Sequence, residues 1–313
     1  MFRKTMIIAV SICAVVVATQ ADTVYLNAGD TSNVVGVPSY NNAGNWSDGN
    51  PPSAGNDYVV DGYLLRTENN VAGSEFGGDS LSLINAARLM LSGYDNVPYT
   101  INNLVANEGA LVSGRAGRSY EIAGNISILA GGLEGNVGTG DDNRTLVILA
   151  DMTGVGGFSV TGGASGYTKK VTLAGQAAYT GSTAISENTM LEVTGSLLID
   201  VNDGENSDIS GLGDLVFDGA LRLDVSDVTT SETSWNLIDT TNLGVTYGEN
   251  FSVALSDGQE FTQVQTGVWS LDDGSTSWEF NTGTGVLTAI PEPSAMVLLF
   301  TGSLVASLRR RQK

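Results

Sequence analysis

Short β-like runs, each closed by a Gly, Asn or Asp turn, recur through this sequence and leave no stretch with convincing helical periodicity between its two ends. Examples are "DSLSLINAARLMLSG", "YTINNLVANEGALVSG", "SYEIAGNISILAGG", "RTLVILADMTG", "KKVTLAG" and "GDLVFDGALRLDV". Apolar and polar residues alternate in Ile126-Ser127-Ile128 and in Leu221-Arg222-Leu223-Asp224-Val225, which is the two-residue period of a strand. The runs return every 20–25 residues or so, the size of one rung of a parallel β-helix. With 40 glycines to supply turns, the pattern predicts an all-β chain with a parallel β-helical (solenoid) body. An antiparallel sandwich also yields many short strands, and the runs after Leu212 look paired in that way. The expected organisation is a signal peptide over 1–21, an N-terminal cap over 22–78, a solenoid over 79–211, a sandwich-like β-rich cap over 212–289 and a tail over 290–313.

The N-terminus reads "MFRKTMIIAVSICAVVVATQA". Arg3 and Lys4 precede an apolar run from Met6 to Ala18, and Thr19-Gln20-Ala21 is a small-x-small site. That order predicts a secretory signal peptide cleaved between Ala21 and Asp22, because the apolar run is shorter than the ~20 residues a spanning helix needs. A lipid anchor on Cys13 is set aside, since bulky Ile12 stands where a small residue is required. Cleavage removes the single Cys, and the chain has no His. Disulfides, thiol nucleophiles, His-based triads and common zinc sites are thereby excluded from the exported body. Between Asp22 and Ile290 the chain keeps eight basic and 33 acidic residues, a net charge of −25. Such a body repels nucleic acid and anionic lipid, so neither is expected as a partner.

The sequence ends "IPEPSAMVLLFTGSLVASLRRRQK". Pro291-Glu292-Pro293, an apolar segment Ser294–Leu308, then Arg309-Arg310-Arg311 resemble the PEP-CTERM sorting signal. The resemblance implies recognition of the tail by an exosortase, a membrane-embedded cysteine-protease-like enzyme. It also implies use of the export machinery, transient inner-membrane anchoring, and a cell-surface or extracellular destination, often linked to polysaccharide and biofilm. As a helix, the apolar segment reaches ~22 Å against a ~30 Å hydrocarbon core, short for a permanent anchor. The arginines would hold its end on the cytoplasmic side. A second segment, "VTLAGQAAYTGSTAISENTMLEV", is similar to the autotransporter-associated β-strand repeat at Leu173, Gly175, Tyr179, Thr180, Gly181, Thr183, Ile185, Leu191 and Val193. It departs from that pattern at Ala177, Ala178, Glu187 and Asn188. This second resemblance implies a β-helical surface protein and assigns no catalytic residue.

Three constellations bear on chemistry. Trp46 and Tyr58, among Asn and Asp turns, are candidate glycan contacts, or else a Trp-closed cap over the solenoid core. Arg115, Arg118 and Tyr120, with Tyr167, Lys169 and Lys170, are the residue types a polysaccharide lyase would set against a uronate, or ordinary charges on turns. Acidic turns at Asp141–Asn143, Asp200–Asp208 and Asp272–Gly274 offer oxygens for calcium, although solvated turns are the simpler reading and no cofactor or metal is expected. The expected function is a non-enzymatic surface or extracellular-matrix structural protein associated with polysaccharide. A β-helical lyase or hydrolase, or a carbohydrate-binding module, stands as the alternative.

Overall fold

A computed structural model of the protein describes residues 21–27, 40–67, 73–93, 96–204, 206–229 and 233–291. The described chain is all-β, with a single short 3-10 turn at Ala43–Asn45. Its body is a parallel β-solenoid of about seven turns whose strands stack into three faces. The first face carries Arg144–Ile148, Lys169–Leu173, Met190–Val193, Asp214–Phe217 and Gly244–Tyr247. The second carries Asp151–Gly154, Gln176–Tyr179, Ser196–Asn202, Ala220–Asp227 and Ser252–Leu255. Two long strands, Pro98–Asn107 and Arg118–Ile128, bend from the first face onto the second and join both into one fifteen-stranded sheet. The third face is a separate seven-stranded sheet from Leu64–Arg66 to Ile209–Gly211.

Like residues stack on like because the rungs are in register. On the second face Leu81, Leu104, Ile126, Met152, Ala177, Leu197, Leu221 and Val253 form one buried column. On the first face Tyr120, Leu146, Val171, Leu191 and Leu215 form another. Each strand thus buries its alternate residues against the rungs above and below, which is how a solenoid builds a core without helices. The corner between these faces is tight. A Cβ at Gly195 would lie 2.1 Å from the Gly175 carbonyl oxygen, and one at Gly219 would lie 2.1 Å from that of Gly195. The Leu173-x-Gly175 pattern therefore marks a corner that three successive rungs turn on glycine, at Gly175, Gly195 and Gly219.

The parallel stack runs beyond both expected boundaries. Asp22–Tyr25 already pairs in parallel with Asn56–Asp61, which pairs with Ser80–Ile84. The loop from Tyr40 to Gly55 is an excursion between the first two of these strands, and its length hides the rung period in the sequence. At the other end Asp214–Phe217, Ala220–Asp227, Gly244–Tyr247 and Ser252–Leu255 continue the solenoid. The expected sandwich-like cap is a single antiparallel sheet of Ser234–Asn236, Thr262–Gln265, Val268–Asp272, Thr276–Asn281 and Val286–Pro291. A second antiparallel sheet is not needed, because Trp278, Phe280 and Leu287 share one buried cluster with the solenoid core. This sheet covers the apolar end that an open solenoid would expose.

Candidate functional site

The third face bears an open groove of about 810 Å3. Arg88, Ala110, Glu134, Ser159 and Ala184 follow one another in register across five successive strands, and all five line it. At ~4.8 Å per strand the row is ~19 Å long and runs along the solenoid axis. Ala110, Ser159 and Ala184 keep the floor low. One wall is a turn column rich in glycine, where a Cβ at Gly157 would meet the Ser182 carbonyl oxygen at 2.6 Å. Arg88 and Glu134 flank Ala110 with opposite charges. The Glu134 carboxylate is fixed by the Asn136 amide at 2.8 Å and by the Thr161 hydroxyl. A trough of this shape admits an extended polymer lengthwise and offers it peptide groups and charges of both signs.

Trp46 and Tyr58 do not reach any surface. Both are 0% exposed, with ring centroids 4.7 Å apart, and Tyr58 packs edge-on against Phe76 at 5.4 Å. The Trp46 indole N–H donates to the Tyr40 carbonyl at 2.7 Å, and the Tyr58 hydroxyl accepts from the Ser53 N–H at 3.0 Å. Their polar handles are thus satisfied inside the core that begins the solenoid, so the glycan-contact reading of this pair gives way to core packing.

The basic constellation is brought together in part. Arg118, Arg144 and Lys169 share one register column at the start of the first face. Tyr120, two residues on, is fully buried, whereas Tyr167 stands exposed on a turn. Sequence reasoning missed what organises this column. The Asp142 carboxylate accepts from Arg144 Nε at 2.6 Å and Nη2 at 2.9 Å, and from Lys169 Nζ at 2.9 Å. Arg144 Nη1 reaches back to the Ser113 carbonyl at 3.0 Å. The side chain of Lys169 is 0% exposed. Hydrogen bonds from Arg144 first, then Lys169, hold the Asp142 carboxyl well below the usual carboxylate range. Lys170 is bound at 2.7 Å by Glu192. Burial works to raise the Glu192 pKa, but hydrogen bonds from Lys170 and Thr172 outweigh it and leave the pKa lowered. These lysines are struts between rungs. The signal for them was the rung step itself, which places Arg144 beside Lys169.

The acidic turns are likewise engaged. Asp203 accepts from the Thr229 N–H at 2.9 Å, and burial, with Asp224 and Asp227 nearby, pushes the Asp200 carboxyl up. Partial burial opposes ionisation of Asp273, yet donors from Trp278, Ser275 and Thr276 hold it down to about 2. Among the described residues no group of three or more acidic, His or Cys side chains is arranged to hold a metal ion.

The residues read as processing signals fall at or beyond the edges of the structure. Asp22 opens the first strand, next to Ala21, and Pro291 ends the last one, in register with Thr276. Residues 1–20 and 292–313, and with them Glu292, Pro293, Arg309, Arg310 and Arg311, lie outside the described residues. Among the described residues no helix is long and apolar enough to cross a membrane. No family model, curated protein or solved structure matches the chain.

Proposed function

We propose that the chain is an exported bacterial surface or extracellular-matrix structural protein that lays a linear extracellular polysaccharide along the third face of its solenoid. The carrying observation is the groove across five strands, long, open at the surface and floored by Ala110, Ser159 and Ala184. Delivery is read from the tail, whose resemblance to PEP-CTERM signals implies an exosortase-type sorting enzyme as partner. On this reading the protein is not an enzyme, which the commitment of Lys169 and Lys170, two of the candidate bases, to Asp142 and Glu192 supports. A strong acidic charge keeps the body soluble outside the cell.

Two expected outcomes follow from this reading. Ser159→Trp fills the groove midway without touching the core-facing column, and it should weaken retention of the full chain on the host's extracellular polysaccharide at least tenfold. Unchanged retention would remove the groove from the proposal. In the native host, deleting Ser294–Lys313 should release the body into the medium, since this is the one long apolar segment left after signal cleavage. Replacing Pro291-Glu292-Pro293 by three alanines keeps the apolar segment and the arginines, so precursor should accumulate in the inner membrane. Fractionation that finds both variants distributed like the parent would show that the tail does not sort this protein.

A further inference from the structure

Where the solenoid's last turn meets the terminal antiparallel sheet there is a second concavity, a cleft of about 440 Å3. Its size lies within the ~300–1,000 Å3 range of small-ligand sites. Tyr247, Phe251 and Trp269 form an aromatic run along it, with centroid distances of 4.5 Å from Tyr247 to Phe251 and 5.5 Å from Phe251 to Trp269. Glu249 and Gln263 also line it, and none of its lining residues is Lys or Arg.

The turn that shapes one side is pinned from beneath. Asp218 accepts from the Asn250 N–H at 2.9 Å and from its side-chain amide at 3.1 Å. Gly248 sits so close that a Cβ there would lie 2.1 Å from Asp218 Oδ1. The other side rests on the sheet, where Trp269 pairs with Gln263 on one neighbour and Phe280 on the other. The cleft is therefore preformed by the fold.

Two of its polar handles are unspent. The chain has four tryptophans, and three donate their indole N–H to a protein oxygen: Trp46 to Tyr40, Trp235 to Asn202 and Trp278 to Asp273. Trp269, half-buried in the cleft, has no such acceptor among the described residues. Tyr247 lines the same cleft, and its hydroxyl is buried with no hydrogen-bond partner. Leaving a buried hydroxyl unsatisfied costs about 1–3 kcal/mol, so the Tyr247 hydroxyl, beside an indole N–H that no protein oxygen among the described residues takes, points to a ligand that brings its own hydroxyls.

We infer that this cleft is a saccharide-binding site, separate from the groove, that takes the end or a branch of a neutral sugar chain. Aromatic faces match the apolar face of a sugar ring, while the Tyr247 hydroxyl, the Trp269 N–H, Gln263 and Glu249 match its hydroxyls. A carboxylate in the lining, with no cation to offset it, disfavours uronates. The inference stands on residues that the groove does not use.

The test is isothermal titration of the full chain with cellohexaose, laminarihexaose, maltohexaose and chitohexaose, with hexagalacturonate as the acidic comparison. At least one neutral hexasaccharide should bind and the acidic one should not. Trp269→Ala should lower affinity at least tenfold. Tyr247→Phe keeps the ring, so it should fold as stably as the parent or slightly more so, while still losing affinity several-fold; a purely structural tyrosine would not separate these two readouts. Ser159→Trp, in the groove, should leave hexasaccharide affinity unchanged. If no neutral hexasaccharide binds at millimolar concentration, if the acidic one binds equally, or if both cleft variants bind like the parent, the inference is overturned. If Ser159→Trp alone abolishes binding, the groove stands and the cleft falls.

Discussion

Gly195→Val should destabilise the protein by about 3 kcal/mol, because it places side-chain atoms where the preceding rung's backbone already sits. The Gly195 Cβ position is 2.1 Å from the Gly175 carbonyl oxygen, and Gly219 leans on the Gly195 carbonyl oxygen at the same distance. A backbone oxygen cannot swing aside as a flexible side chain does, so the rungs must separate. The Ser196 N–H donates to the Gly175 carbonyl and the Ala220 N–H to that of Gly195, so separation also breaks ladder bonds at the corner. Solenoid stability is nearly a sum of neighbour contacts, and a break here divides the turns before Gly195 from those after it. Urea unfolding followed by circular dichroism should show an earlier transition, broadened or split in two. Gly44→Ala is the comparison, since its nearest neighbour would be 3.7 Å away, and it should change stability by no more than ~0.5 kcal/mol.

Asp142→Ala should cost about 2–3 kcal/mol, below the loss from a fully buried ion pair, because Asp142 and Arg144 keep some contact with water while Lys169 does not. The loss exceeds that of a surface salt bridge, because the Lys169 side chain, wholly out of water, is left without its carboxylate partner. Arg144 also loses the carboxylate that aims it at the Ser113 carbonyl, so a tie spanning several turns goes at once. Adding Lys169→Met to Asp142→Ala removes the stranded charge and should recover much of the loss. The pH dependence has a definite sign. A carboxyl whose folded pKa is depressed stabilises the fold above its unfolded pKa and stops doing so as pH falls through the folded value. The gap between parent and variant should therefore hold from about pH 7 to about pH 5 and close only in strong acid. Equal melting of parent and single variant at neutral pH would show the cluster to be a solvated surface feature.

Much of the fold was legible because a solenoid repeats its physics. Alternation such as Ile126-Ser127-Ile128 marked strands, and the recurrence from Leu146 to Val171 to Leu191 carried the rung step. The ends were less legible. The excursion between Asp22–Tyr25 and Asn56–Asp61 interrupts the period, and strands that alternate look alike whether their partners run parallel or antiparallel. The aromatic pair Trp46 and Tyr58 was ambiguous for a chemical reason, since a ring among Asn and Asp turns suits either a sugar or a capped core, and only burial decides. The groove was invisible because it is made of what is missing, with Ala110, Ser159, Ala184 and glycine turns in place of larger side chains. The Asp142 tie needed register, since Lys169 lies far along the chain from the acid it neutralises. The cleft at Trp269 needed three segments, the turn after Tyr247, the strand Val268–Asp272 and its neighbour Thr262–Gln265, which no local pattern joins.

Size-exclusion chromatography with light scattering, on the full chain incubated with the host's purified extracellular polysaccharide, tests most directly whether the solenoid holds a polymer without cutting it. Protein should co-elute with polysaccharide, the polymer's molar mass should stay constant over hours, and no ultraviolet-absorbing unsaturated ends should accumulate. Polymer that shortens with time in the presence of the protein, or protein that elutes apart from it, would contradict the structural role.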